Sequence, residues 1–200
     1  MNSTKTLLYD GTFNGFLTLI YMIFDKKWSV IDIQKKDFQV QGLFTDVITV
    51  ETNTILAKKV WYGINKKNHM AMKRIYYAFL SEDKHIEMNL YHYICHIMGT
   101  SQEVMDTEQL INQLELLSAK VGKEKRRVEA FAQFQLAQQQ GEVAHIKPKY
   151  NVLPLLSKHL RQMNKGIEWQ VFDDRRKYGV RYSSLGLELF TSKPMVLEAV

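Results

Sequence analysis

The densest group of chemically active side chains in this sequence is cationic. Lys120, Lys123, Lys125, Arg126 and Arg127 are followed by Lys147, Lys149, Lys158, Arg161, Arg175, Arg176, Lys177 and Arg181, interleaved with Tyr150, Trp169, Tyr178 and Tyr182. Several fixed cations in one patch neutralise phosphates and release their counterions. Aromatic rings beside arginines can stack exposed bases. On a helix, Lys120, Lys123 and Arg127 fall at i, i+3 and i+7 and so share a face. The residues expected to contact nucleic acid are therefore Lys120, Lys123, Lys125, Arg126, Arg127, Arg175, Arg176 and Lys177. Asp173 and Asp174 offset part of the charge near the last three. A solvated surface over core aromatics is the competing explanation.

Other groupings are weaker. Glu82, His85, Asn89, His92 and His96 lie on one helical face. His92 and His96 at i, i+4 have the spacing for a shared transition metal, with His85 or Glu82 as third ligand. Tyr93 stands where a zinc protease would carry its general-base glutamate. Solvent exposure alone explains this polar face, so no metal is expected and His92 and His96 are weak candidates. Asp10 ends a strand ahead of a helix, a position suited to an active-site carboxylate, but Asp10-Gly11 also reads as a simple turn with positive φ at the glycine. Asp173 with Arg176 reads first as a turn ion pair. Cys95, the single cysteine, sits among apolar residues and reads as packing; one cysteine cannot form an internal disulfide. With no Gly-x-Ser-x-Gly, P-loop or Gly-x-Gly-x-x-Gly string, nucleotide hydrolysis and dinucleotide redox chemistry are not expected, and neither is a cofactor.

The elements that carry these residues follow from periodicity. Lys5–Tyr9 reads as a short strand. Thr12 N-caps a helix whose apolar residues, Phe13 to Phe24, cover nearly its whole circumference and so mark it for burial. Residues 38–40 and 47–50 have strand composition, and 30–34 is ambiguous. From Asn53 the pattern is a pair of helices with a break around Gly63 to Asn68. Ser81 reads as the N-cap of a helix ending at Gly99, and Thr107 as the cap of a longer one. The pattern changes after Arg127, where 130–136 fits either helix or strand. Residues 142–147 read as a strand, Asn151 to Met163 as a helix, 169–172 and 178–182 as strands, and 185–190 as an edge strand. The expected class is α+β: a helical N-terminal half with a short N-terminal strand, and a C-terminal antiparallel ββαββ-like region. The chain reads as a single domain over 1–200, mainly helical over 1–127 and a basic α+β part over 128–200.

Charge follows this division. Of the 200 residues, 1–118 hold 12 Lys/Arg against 13 Asp/Glu, whereas 119–200 hold 15 against 8. The excess points to a polyanionic partner. The longest apolar run, Phe16 to Phe24, is short of the roughly 20 residues a membrane span needs. No membrane association is expected, and the absence of a signal-like N-terminus points to a cytoplasmic protein.

Several strings resemble the bacterial "probable DNA metabolism protein" family, a domain without assigned function. They are Tyr9-Asp10-Gly11-Thr12-Phe13 leading to Gly15-Phe16-Leu17-Thr18; Ala78-Phe79-Leu80-Ser81-Glu82; Asn151-Val152-Leu153-Pro154-Leu155-Leu156 with His159; and Trp169 with Asp173, Arg176 and Tyr182. The resemblance runs over nearly the whole chain. It implies a genomic neighbour, a radical-SAM protein assigned to DNA repair or modification, and in some bacteria fusion to a uracil-DNA-glycosylase-like domain. Two positions depart from the pattern: Arg126 stands in a histidine position and Gln133 in a basic one. The leading expectation is an accessory protein of DNA metabolism that binds nucleic acid through a basic C-terminal face and works with the radical-SAM protein. The alternatives are an enzyme acting on nucleic acid or a modified base, with Asp10, His159, Asp173 and Arg176 as candidate catalytic groups, and a protein-interaction module without nucleic-acid affinity.

Overall fold

A computed structural model describes residues 4–36, 46–100, 106–138, 143–164 and 166–191. The chain divides into two compact units, Met1–Ser118 and Ala119–Val200. The boundary coincides with the charge boundary in the sequence.

The first unit is organised by β1 (Lys5–Tyr9), the middle strand of a parallel sheet ordered β2-β1-β3, with β2 at Val30–Lys35 and β3 at Asp46–Thr49. Thr6, Leu7, Leu8 and Tyr9 are all buried, as a strand paired on both edges and covered on both faces requires. Tyr9 donates its hydroxyl to Glu87 Oε1 at 2.8 Å. Burial, reinforced by the charge of Glu87, pushes the Tyr9 pKa up, so the phenol remains a donor. The expected strand at 47–50 is β3, the ambiguous 30–34 is β2, and residues 38–40 lie outside the described residues.

After β1 the chain turns at Gly11, φ 79°, into α1 (Phe13–Lys26), where Thr12 Oγ1 accepts from Gly15 N as expected of an N-cap. Phe16, Leu17, Leu19 and Ile20 are at most 2% exposed, each contributing about 1.5–3 kcal/mol on burial. α1 packs on α2 (Thr54–Lys67). Asn53 caps α2 by accepting from Ile55 N and Leu56 N, and its own backbone N–H donates to Thr18 Oγ1 on α1. The expected break falls at Asn68, whose extended backbone stops α2 while its side chain caps α3 (His69–Phe79). α4 (Ile86–Met98) ends at Gly99 as expected.

Two expected caps are displaced. Ser81 does not start α4: its hydroxyl donates to Ala78 O and accepts from Asp83 N, closing the end of α3, and α4 begins after His85 in the left-handed region. α5 (Thr107–Gln138) is capped by Asp106, which accepts from Gln109 N, instead of by Thr107.

α5 also corrects the expected change of structure at Arg127. It runs on to Gln138, so residues 130–136 are helical. Then follow β4 (Val143–Ile146), α6 (Leu153–Met163), β5 (Trp169–Asp173), β6 (Tyr178–Ser183) and β7 (Gly186–Thr191), forming a sheet ordered β4-β5-β6-β7. The α+β class stands. After α5 the second unit is βαβββ, however, and its sheet is mixed: β4 runs parallel to β5, and only β5, β6 and β7 form an antiparallel meander. The physical reason is α6, which carries the chain back so that β5 re-enters in the direction of β4.

Gly15 is required by space. A Cβ there would lie 2.1 Å from Asp10 Oδ1 and 2.8 Å from Thr52 Oγ1. Gly15→Ala is expected to lower the thermal unfolding midpoint by several degrees, corresponding to the about 1–3 kcal/mol typical of overpacking. An unchanged midpoint by circular dichroism would refute this packing.

Candidate nucleic-acid interface

The helical period sorts the side chains of α5 into two sides. At 3.6 residues per turn, Val121, Val128, Glu129, Ala132 and Leu136 fall together, and all are buried. Lys120, Lys123, Arg126, Arg127, Phe131 and Phe134 fall opposite, within about 140° of the circumference, and all are exposed. Phe131 is 47% and Phe134 62% exposed. From Lys120 to Phe134 the stripe is about 21 Å long at 1.5 Å per residue.

The five cations expected on this segment are not equivalent. Lys125 turns toward the buried side and pairs with Glu129. The Arg127 guanidinium grips Glu124 through Nε at 3.1 Å and Nη2 at 2.7 Å. Glu124 Oε1 also accepts from Lys149 N at 2.8 Å, which ties α5 to the loop after β4. The bonds from Arg127 are the main cause that holds the Glu124 pKa below its ordinary value; partial burial opposes them and Lys149 assists. Lys120, Lys123 and Arg126 have no acidic partner among the described residues.

In the β5–β6 turn, Asp173 is completely buried. Its Oδ1 accepts from Arg175 N at 2.9 Å and Arg176 N at 3.1 Å, and its Oδ2 accepts from Arg176 Nη1 at 2.9 Å. The Arg176 guanidinium continues to Pro148 O and Lys149 O, and Arg175 Nη1 also donates to Lys149 O. Asp173 and Arg176 thus clamp the turn to the 148–149 loop. Of the three cations expected here, Arg175 and Lys177 are exposed, while Arg176 is half-buried in the clamp.

The aromatics expected to interleave with the cations are mostly engaged elsewhere. Trp169 is 1% exposed and stacks on Tyr182. Tyr178 donates to Asn151 Oδ1. Tyr150 lies beneath Lys149 Nζ. Among the described residues of this unit the exposed rings are instead Phe131 and Phe134, and their i, i+3 spacing was the available signal once that segment is helical.

The remaining candidates are divided between the two units. Asp10 belongs to the first unit; His159, Asp173 and Arg176 belong to the second. Asp10 accepts from Thr12 N, Thr12 Oγ1 and Thr52 Oγ1. Partial burial works to raise its pKa, but these hydrogen bonds outweigh it and hold the group below its ordinary value. The carboxylate thereby joins the β1–α1 turn to the segment leading into α2. His159 is half-buried on α6, beside the buried Leu160. His92 is half-buried, its Nδ1 is enclosed without a hydrogen-bond partner, and burial lowers its pKa; His96 is exposed. Among the described residues, no three His, Cys, Asp or Glu side chains converge as a metal site. No helix among them is long and apolar enough to cross a membrane.

The site and fold define a two-unit α+β protein with a basic, aromatic helical face. The family described as a domain of unknown function, DUF4130, matches residues 84–199, and the chain belongs to that family. No curated protein and no solved structure matches it.

Removing the clamp has a direct consequence. Asp173→Ala removes the carboxylate partner of Arg176, whose side chain is 12% exposed, and is expected to cost about 3–5 kcal/mol, read as a lower denaturant midpoint; an unchanged midpoint would reject the clamp. Glu124 carries a pH signature. With its folded pKa depressed, its contribution is complete above the unfolded value of about 4.3 and is lost as pH falls through the folded value. Glu124→Gln is therefore expected to flatten the acid limb of the stability curve, and a limb as steep as that of the parent protein would contradict this assignment.

Proposed function

We propose that the protein binds nucleic acid through the exposed face of α5, with single strands preferred over duplex. The observation that carries this reading is the alignment of Lys120, Lys123 and Arg126, which lack acidic partners among the described residues, with exposed Phe131 and Phe134 on one side of one helix. Cations track a phosphate backbone without reading sequence, and aromatic faces stack bases that are not already paired. Phosphate contact alone would be served by cations in any setting; the phenylalanines are what favours unpaired bases.

On this reading the chain is an accessory protein of DNA metabolism or repair, in the sense implied by its resemblance to that bacterial family. It acts in the cytoplasm beside a radical-SAM protein. Its role is to hold a strand, and Asp173 and Arg176 serve the fold and not a reaction.

The test is fluorescence anisotropy with a labelled single-stranded oligonucleotide over a salt series. Replacing Lys120, Lys123 and Arg126 together by alanine is expected to reduce the slope of log K against log salt by about 2, at roughly 0.7 per phosphate contact on a single strand. Arg127→Ala changes the slope less, because that cation is already partnered by Glu124. Undetectable binding at low salt, or an unchanged slope in the triple variant, would reject the reading.

A further inference from the structure

The near-zero net charge of residues 1–118 conceals a strongly basic stretch. Between residues 52 and 81 the chain carries Lys58, Lys59, Lys66, Lys67, Lys73 and Arg74 and no Asp or Glu. This stretch is α2 and α3. Arg74 is already committed, to Tyr93 and to Glu115 at 3.3 Å. All five lysines are exposed. Lys58, Lys66 and Lys67 have no acidic partner among the described residues, whereas Lys59 lies over the Tyr21 ring and Lys73 over the Tyr77 ring. Cation–π contact orients these two ammonium groups without neutralising them.

The lysines are mixed with exposed apolar side chains. Ile55, Lys59, Tyr62 and Lys66 follow at i, i+4, i+7 and i+11 along one side of α2, with Tyr62 72% and Ile55 68% exposed. Beside them, Tyr21, Phe24, Lys59, Val60 and Met98 line a cleft of about 270 Å³ that also contains Asp25. Lys66 and Lys67 at the α2 C-terminus also favour the helix dipole. That effect does not account for Lys58, Lys59 and Lys73, for the absence of any acid over thirty positions, or for a tyrosine largely in solvent among them.

We propose that the α2–α3 surface of the first unit is a second binding site for single-stranded nucleic acid, with Lys58, Lys59 and Lys66, which share the exposed side of α2 with Tyr62, on the backbone and Tyr62 stacked on a base. Charge complementarity selects a polyanion. The exposed ring among the cations selects unpaired bases over an acidic protein surface. The inference goes beyond the α5 reading and stands on different residues.

The test uses the full chain and a labelled oligothymidylate of about 30 nucleotides, long enough for two sites of roughly 4–16 nucleotides each. Replacing Lys58, Lys59 and Lys66 by alanine is expected to lower the salt slope by about 2. Tyr62→Ala is expected to weaken binding roughly five-fold or more, and Tyr62→Phe, which keeps the stacking face, to bind like the parent. If these variants bind normally while the Lys120, Lys123 and Arg126 variant loses affinity, this inference falls and the α5 reading stands. The reverse pattern keeps the α2–α3 site and removes the α5 one. Displacement of the oligonucleotide by polyglutamate at equal charge concentration would show that charge alone is read, and would overturn the proposal.

Discussion

Val121, Val128, Ala132 and Leu136 are almost fully withdrawn from solvent, and because they recur along one α-helix they hold the opposite side of α5 outward. Within this buried side Lys125 and Glu129 neutralise each other, so that neither enters the apolar seam as an unpaired charge, which would be costly. The consequence is geometric. With the seam in place, Lys120, Lys123, Arg126, Phe131 and Phe134 have no position except on the exposed side. The functional reading depends on that division of a single helix more than on the total charge.

A small set of polar contacts ties the turns of the second unit to α5. Asp173 is fully enclosed and takes donors from Arg175 and Arg176. Arg176 in turn holds Pro148 and Lys149, and Lys149 is held by Glu124 of α5. A continuous path of hydrogen bonds therefore links the β5–β6 turn, the loop after β4 and the helix that bears the proposed interface. Asn164 and Gln133 add a further link between α5 and the end of α6. The C-terminal residues that resemble the DNA-metabolism family belong largely to this scaffold: Asp173 and Arg176 form the clamp, Trp169 stacks on Tyr182, and Asn151 accepts from Tyr178.

What could be read from the sequence follows the same logic. α1 was legible because apolar residues over nearly its whole circumference and Thr12 at its start leave few alternatives, and the structure has both. Strands 169–173 and 178–183 were legible from composition and the polar turn between them. The 130–136 segment was not, since its apolar alternation is too weak to separate helix from strand and only continuity with α5 decides. Ser81 misled because a serine followed by acidic residues looks alike at a helix start and in the turn closing the preceding helix. The parallel pairing of β4 with β5 depends on where α6 lies, and no local pattern records it. The lysines of α2 and α3 disappeared into an average over 118 residues, where the acidic side chains of other elements cancel them.

The most direct measurement is photo-crosslinking of the intact protein to a single-stranded oligonucleotide carrying 5-iodouracil, with the adducts mapped by mass spectrometry. Adducts are expected on Phe131 or Phe134, lost when both are replaced by leucine. Crosslinks confined to residues 169–182, with none on α5, would contradict the proposed interface.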